Sequence, residues 1–206
     1  MIRLETTPRC GRTPDVVLAL EELGVPYELV QQNEGHFTET YGRMGPLLRD
    51  GELAVFEPTA IIRHLGRTHG PAAALPDGAA EHAQVDGFMD LVYSQLRPAL
   101  ARLGPALMAS GGGNPAVIAE EMGRLNGVLK YLERTLSDRE FLLGRFTVAD
   151  CTLTLLPMLV QRGFDFSAHP AVVRYVARLT ARPSWAKMSA RCQLPAPQRP
   201  VTASAA

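Results

Sequence analysis

Phe146-Thr147-Val148-Ala149-Asp150-Cys151 carries the sharpest local signal in the chain. Thr147 and Asp150 stand three positions apart, just ahead of the apolar run from Cys151 to Val160, which is the spacing of a capping box. The Thr147 side chain is expected to accept from the Asp150 amide, while the Asp150 carboxylate reaches back to the Thr147 N–H. Phe146 and Cys151 occupy the two positions of a hydrophobic staple. A helix that is apolar nearly all round belongs inside a core, so the box predicts a central, buried helix.

On either side of it the pattern is helical. Val85, Phe88, Met89 and Val92 form one stripe, which Leu96, Leu100, Leu103 and Leu107 extend beyond Pro98. After the break at Gly111-Gly112-Gly113-Asn114-Pro115 comes a second stripe of Ile118, Met122, Leu125, Leu129 and Leu132. Val172, Tyr175, Val176 and Leu179 make a third. Residues 81–194 therefore read as an all-helical bundle.

Residues 1–70 read differently. Ile2-Arg3-Leu4 is a short strand, followed by a helix with Val16, Leu20 and Leu23 inward, Pro14 in its first turn and Gly24 as its stop. Tyr27 to Val30 is a second strand, leading into a long polar loop to Arg43. Leu47-Leu48 and Ala54-Val55-Phe56 flank Asp50-Gly51, a hairpin signal. A helix from Thr59 to Thr68 then carries Ile61, Ile62 and Leu65 inward. The order βαβ, hairpin, α defines a small α/β unit. Residues 71–80, rich in Gly, Pro and Ala, read as a linker, and residues 195–206 as a loose tail.

Composition narrows the function. With 206 residues and roughly 150 per domain, the chain is one large domain or two small ones. Lys and Arg number 21 and so do Asp and Glu, leaving no basic footprint for nucleic acid or anionic lipid. Cys10, Cys151 and Cys192 are too few and too scattered for a disulfide framework, pointing to a reducing, cytoplasmic setting. No apolar leader and no spanning segment is read, which predicts a soluble protein. His64 and His69 lie five apart, off any shared helical face, and without a third ligand they predict no metal site. Gly111–Gly113 lacks the Lys-Ser/Thr ending of a phosphate loop.

Taken together these segments resemble the cytosolic glutathione transferases. Leu143-Gly144-Arg145-Phe146-Thr147-Val148-Ala149-Asp150-Cys151 is similar to that family's buried capping-box helix, and His169-Pro170 through Tyr175 to Ala181-Arg182-Pro183-Ser184-Trp185 to its last bundle helices. Glu57-Pro58-Thr59-Ala60-Ile61 stands where the family has an acidic or amide residue followed by Ser. The stretch from Asp50 to Gly70 is particularly similar to the pi class, while a cysteine near the first helix resembles bacterial cysteine-type members. The resemblance covers about residues 1–190. It implies a thioredoxin-like domain followed by a helical domain, usually in a homodimer, adding the glutathione thiolate to a small apolar electrophile.

The resemblance also implies roles for individual residues. Glutathione is expected as co-substrate, with no metal. Gly45-Pro46 falls where the family has a cis-proline whose preceding residue offers its backbone to the cysteinyl part; Met44 and Gly45 border it. Glu57 fits the residue facing the γ-glutamyl amine. Pro58, however, replaces a serine and lacks both hydroxyl and N–H, so Thr59 is the expected substitute. No Tyr precedes Tyr27, which excludes a tyrosine mechanism from the first strand. Thr6 or Thr7 is then a candidate hydroxyl donor to the thiolate. Cys10, just before a helix and beside Arg9 and Arg12, is the favoured alternative. Arg12 and Asp90, or Asp86 one turn earlier, are expected near the γ-glutamyl end and the dimer contact; Arg43 and His36 are expected near the glycyl carboxylate. Phe88, Met89, Tyr93 and Met108 are expected to line the electrophile cleft. Two rival functions stand beside conjugation: a Cys10-dependent thiol transferase acting on mixed disulfides, and a non-catalytic binding module of the same fold.

Overall fold

The computed structural model describes residues 1–8, 10–33, 45–70, 74–75, 78–109 and 113–194. His36, Arg43, Met44, the side chain of Met108, much of the expected linker and the tail from 195 lie outside the described residues.

The first part is a four-stranded mixed sheet in the order β2-β1-β3-β4. β1 (Ile2–Thr6) is central, parallel to β2 (Tyr27–Gln31) and antiparallel to β3 (Leu47–Asp50), which pairs in turn with β4 (Leu53–Phe56). The parallel pair needs a crossover, supplied by α1 (Thr13–Leu23). That helix begins at Thr13-Pro14, where a missing N–H is harmless, and stops at Gly24, whose φ of 65° only glycine adopts easily. The hairpin turn lies at Gly51-Glu52, because Asp50 pairs with Leu53; Gly51 takes a φ of 62°. α2 (Pro58–Thr68) packs Ile61, Ile62 and Leu65 against α1, fully buried.

The second part is helical, as its periodicity predicts. α3 (Ala79–Leu91) continues through a π-helical segment, Val92–Leu96, into α4 (Arg97–Met108). Pro98 cannot donate to the turn before it, so the helix widens there instead of breaking. α5 (Pro115–Thr135) is capped by the Asn114 side chain, which accepts from the Ala116 N–H at 3.0 Å. A 3₁₀ turn, Asp150–Leu153, leads into α6 (Leu155–Gln161), followed by α7 (Pro170–Thr180) and α8 (Pro183–Arg191).

One contiguous apolar cluster runs through both parts, from Leu4 and Leu18 to Leu156 and Tyr175. The chain between them is tied down where it is described: the Ala74 carbonyl accepts from the Val148 N–H at 2.9 Å, and Leu75 is buried. Gly66 permits this approach, since a Cβ there would meet Leu75 Cβ at 3.1 Å and Val148 Cγ1 at 3.3 Å. α8 is held to α1 by Glu22, which accepts from Arg182 Nε and Nη2 at 2.5 and 2.7 Å and from the Ser184 hydroxyl. The same guanidinium stacks 3.9 Å from the Phe146 ring centroid.

The capping box forms by half. Asp150 Oδ2 accepts from the Thr147 N–H at 2.9 Å, but the Thr147 hydroxyl turns to that same carboxylate at 3.4 Å. The Asp150 amide donates instead to the Thr147 carbonyl at 3.1 Å, because the helix opens as a 3₁₀ turn with i→i+3 bonds. The second carboxylate oxygen accepts from the Leu142 N–H and the Tyr175 hydroxyl, both at 3.1 Å.

Burial pushes the Asp150 carboxyl up from 3.8 to about 6, with these donors pulling the other way. Between pH 4 and 6 the unfolded carboxyl has lost its proton and the folded one has not, so stability falls as pH rises. That loss is on the order of 3 kcal/mol. Asp150→Ala leaves the four buried donor groups of Thr147, Leu142 and Tyr175 without this acceptor and is expected to cost about 3–5 kcal/mol in urea unfolding at pH 7. The variant should also lack the pH 4–6 decline, so the gap from the parent narrows across that window.

Candidate functional site

The C-terminal end of β1, the N-terminal tips of α1 and α2 and the start of β3 converge on one edge of the sheet. The register requires this: Glu5 pairs with Leu47, and Leu47 pairs with Phe56. Thr7, Cys10 and Arg12, Gly45-Pro46 and Glu57-Pro58-Thr59 therefore lie at the ends of adjacent strands. Arg12 Nη1 lies 3.8 Å from Glu57 Oε2, linking the two helix tips across this edge. Glu57 has φ 67° and ψ 125°, a strained conformation for a residue with a side chain, of the kind that clusters at ligand sites.

Cys10 sits half-buried in the turn before α1, its N–H donating to the Thr7 carbonyl at 3.2 Å and its carbonyl accepting from the Thr13 N–H at 3.1 Å. Cys151 and Cys192 are different: burial pushes both thiols up, Cys192 to about 12. Thr6 is 3% exposed, and its hydroxyl is engaged with the Thr13 hydroxyl and with the Thr7 carbonyl at 3.4 Å. It faces the sheet–helix interior, so it does not present a donor to a ligand. Thr7 is equally buried.

Beneath this turn lies a polar cluster that no local sequence signal marks. Asp15, fully buried on α1, accepts at Oδ2 from the Tyr93 hydroxyl at 2.6 Å and from Arg97 Nη2 at 2.5 Å, and at Oδ1 from the Thr154 hydroxyl. Desolvation pushes the Asp15 carboxyl up, against the pull of Arg97. Burial likewise raises the Tyr93 phenol, reinforced by the Asp15 charge. Arg97 Nη1 donates to the Gly11 carbonyl at 3.0 Å, and its charge interacts with the Cys10 sulfur. The cluster thus fixes the backbone next to Cys10 and sets a cation beside it. Tyr93 lies within the π-helical turn and Arg97 directly after it, and such turns are frequent companions of functional positions.

Residues 89–183 match the family model described as glutathione S-transferase, C-terminal domain. The chain is 33% identical over 190 residues to glutathione S-transferase 4 of Zea mays, covering 84% of this chain and 85% of the relative. It is 30% identical to glutathione S-transferase 1 of Triticum aestivum, covering 86% and 88%. The chain belongs to the glutathione S-transferase family. Among solved structures, a glutathione S-transferase-I bound with lactoylglutathione superposes with a TM-score of 0.76 at 26% identity, over 92% of this chain and 98% of that one. A glutathione transferase of Phanerochaete chrysosporium with oxidized glutathione shares the fold, at a TM-score of 0.81 and 18% identity, over 93% and 95%. The architecture is a thioredoxin-like sheet unit followed by helices, as expected.

Several residue assignments change against this glutathione S-transferase frame. No cis peptide bond occurs among the described residues, so the Gly45–Pro46 link is trans, against expectation. Trans is the intrinsically lower state by about 0.5–1 kcal/mol, and a glycine with open space at its Cβ position adds no packing that reverses it. Asp90 and Asp86 both pair within the chain, with Arg63 of α2, at 3.1 and 2.5 Å. The expected electrophile cleft is also dispersed: Met89 is fully buried, Tyr93 is bound to Asp15, and Phe88 turns outward toward Tyr131, 6.2 Å between ring centroids. Phe88, Leu91 and Tyr131 line a cavity of about 650 Å³ between α3 and α5 that includes no residue of 1–70.

Tyr93→Phe keeps the ring and deletes one donor to the buried Asp15 charge. The expected loss is about 1.5–3 kcal/mol in chemical unfolding, whereas Tyr131→Phe, which deletes the hydroxyl of an exposed tyrosine on α5, should stay within about 0.5 kcal/mol.

Proposed function

We propose that the protein is a glutathione transferase that binds glutathione at the sheet edge between the tips of α1 and α2 and adds its thiolate to small apolar electrophiles. The observation that carries this reading is the convergence of Cys10, Arg12 and Glu57 at that edge, with Arg12 and Glu57 already 3.8 Å apart. In this reading the Glu57 carboxylate faces the γ-glutamyl amine. The Thr59 and Ala60 amides, which as early helix residues have no carbonyl one turn back, receive the adjoining carboxylate. Gly45 and Pro46 border the cysteinyl part.

Free glutathione thiol, near 8.5, is only a few per cent ionised at neutral pH. The end of α1 contributes positive potential at this point, and Arg97 and Arg12 add full charges. The Cys10 S–H is the donor closest to hand, since Thr6 is engaged elsewhere. Retention on immobilised glutathione and turnover of a chloro-dinitrobenzene-type substrate test the proposal. Loss of both in the intact chain overturns it, leaving a binding module of the same fold.

The accessible thiol also favours a second reading, in which Cys10 acts on mixed disulfides. Its thiolate attacks the glutathionyl sulfur of R–S–S–G, releasing R–S⁻ and forming Cys10–S–S–G. A second glutathione thiolate then attacks that sulfur, releasing oxidized glutathione and restoring the Cys10 thiolate. Cys10→Ala separates the two readings. Conjugation is expected to fall by about 10²–10³, the usual cost of one donor to a developing anion, while thiol transfer is abolished. A single glutathione adduct on Cys10 after oxidized-glutathione treatment, read by mass spectrometry, selects the second reading.

Pro58→Ser restores a hydroxyl and an N–H to the tip of α2. Glutathione affinity is expected to rise about tenfold to a hundredfold in calorimetry, the worth of one hydrogen bond to a charged group. A homodimer is proposed as the working unit, supported by exposed apolar groups at Phe56 (60%) and Tyr131 (43%), which a partner would cover. The cytoplasm is the proposed location, in keeping with unpaired cysteines; no described helix is long and apolar enough to cross a membrane.

A further inference from the structure

A second cluster of chemistry-bearing side chains stands at the other end of α2. Asp50, at the turn of the β3–β4 hairpin, accepts on a single oxygen, Oδ2, from His64 Nε2 at 2.9 Å and His69 Nε2 at 2.8 Å. The three ligand atoms all lie within 4.8 Å of one another. The sequence reading excluded this, because positions five apart on a helix point in different directions and no third ligand was visible. Both objections fail on the geometry. His69 is the helix C-cap, with φ −127° and ψ −11°, so it has left the helical path and its ring returns to face the His64 ring, 6.0 Å between centroids. The chain can turn away there because Gly70 follows, where a Cβ would meet Leu23 Cδ2 at 2.9 Å and the Gly66 carbonyl at 3.0 Å. The third ligand comes from the hairpin, which places Asp50 fourteen and nineteen positions away in sequence.

We propose that Asp50, His64 and His69 form a binding site for a divalent transition-metal ion of the zinc type, clamping the β3–β4 hairpin to the end of α2. Two imidazoles and one carboxylate are the donors such ions select. Zinc sits about 2.0–2.2 Å from each nitrogen or oxygen, which asks the present Nε2–Oδ2 gaps to open by only a few tenths of an ångström. Each ring then carries its proton at Nδ1, which frees the Nε2 lone pair now pointed at Asp50 for the metal. Three protein ligands leave a fourth position for water. Along α2, at about 1.5 Å per residue, His64 lies about 10 Å and His69 about 18 Å from Glu57, so the site is separate from the proposed glutathione edge. All three side chains are partly solvent-accessible, giving an ion a route in.

The test uses the full chain and the metals alone. Titration with Co²⁺ should give saturable visible d–d bands at one equivalent, displaced by Zn²⁺, and Zn²⁺ should raise Tm by several degrees. Asp50→Asn and His69→Gln should each weaken Co²⁺ binding about tenfold or more, while His82→Gln/His169→Gln leaves it unchanged. His69 is near the surface at a helix end, so that variant keeps its fold, with circular dichroism as the check. Bands that persist undiminished in His64→Gln/His69→Gln, or that carry the near-ultraviolet thiolate transition of cysteine ligation, would falsify the proposal. So would the absence of any bands in the parent chain.

Discussion

Asp15 is the constraint on which the rest of the molecule depends. A carboxylate taken wholly out of water is tolerated only when its lone pairs are filled, and α1 itself offers nothing to fill them. Tyr93, Arg97 and Thr154 do so from 78, 82 and 139 positions further along the chain. The sheet unit therefore completes its own first helix only by docking the helical part. Arg97 then extends the consequence upward, because its second nitrogen arm holds the Gly11 carbonyl. The position of Cys10 is in this way set by the bundle, although its sequence neighbours all belong to the sheet unit.

Two further acids repeat the arrangement. Asp150 gathers donors from Leu142, Thr147 and Tyr175, fixing the turn, the 3₁₀ segment and α7 with one carboxylate. Glu22 gathers Arg182 and Ser184, fixing the start of α8 to α1. An apolar interface of this size tolerates sliding, since hydrophobic burial is non-directional. Carboxylates that each require several donors at set positions do not, so they give the inter-unit packing a single register.

The elements were legible in the chain because their signals are local: alternating or helical spacing, Gly24 and Gly51 as stops and turns, Pro14 and Pro58 at helix starts. The buried acids were not. Asp15 follows Pro14 in a first turn, where an acidic residue is unremarkable next to the helix dipole, and Glu22 reads as part of an ordinary charged face. Tyr93 reads as cleft lining next to an apolar stripe, yet within the π-helical turn it meets Asp15 of α1, as Arg97 does just after it. His64 and His69 were misread for a related reason: a helical wheel assumes that the helix continues, and His69 lies one residue past its end. Each failure comes from long-range partners or from a local departure from ideal geometry. The family likeness, by contrast, rested on several local motifs in the right order and was therefore visible.

Pro58 makes sense once the tip of α2 is considered as a unit. β4 ends at Phe56 and the helix begins at Pro58, leaving Glu57 alone to turn the chain. A proline disfavours the helical region for the residue before it; Glu57 lies outside that region, although its positive φ of 67° is not one that a following proline imposes. From there its carbonyl still accepts from the Ile61 N–H at 2.9 Å, starting the helix, while its side chain projects to Arg12. A serine in place of Pro58 would add a hydroxyl and an N–H to the tip while lifting the bar on a helical residue before it. The departure from the family pattern at Pro58 thus takes a hydroxyl and an N–H from the tip, and in the proposed site the amides of Thr59 and Ala60 are left to meet the anion alone.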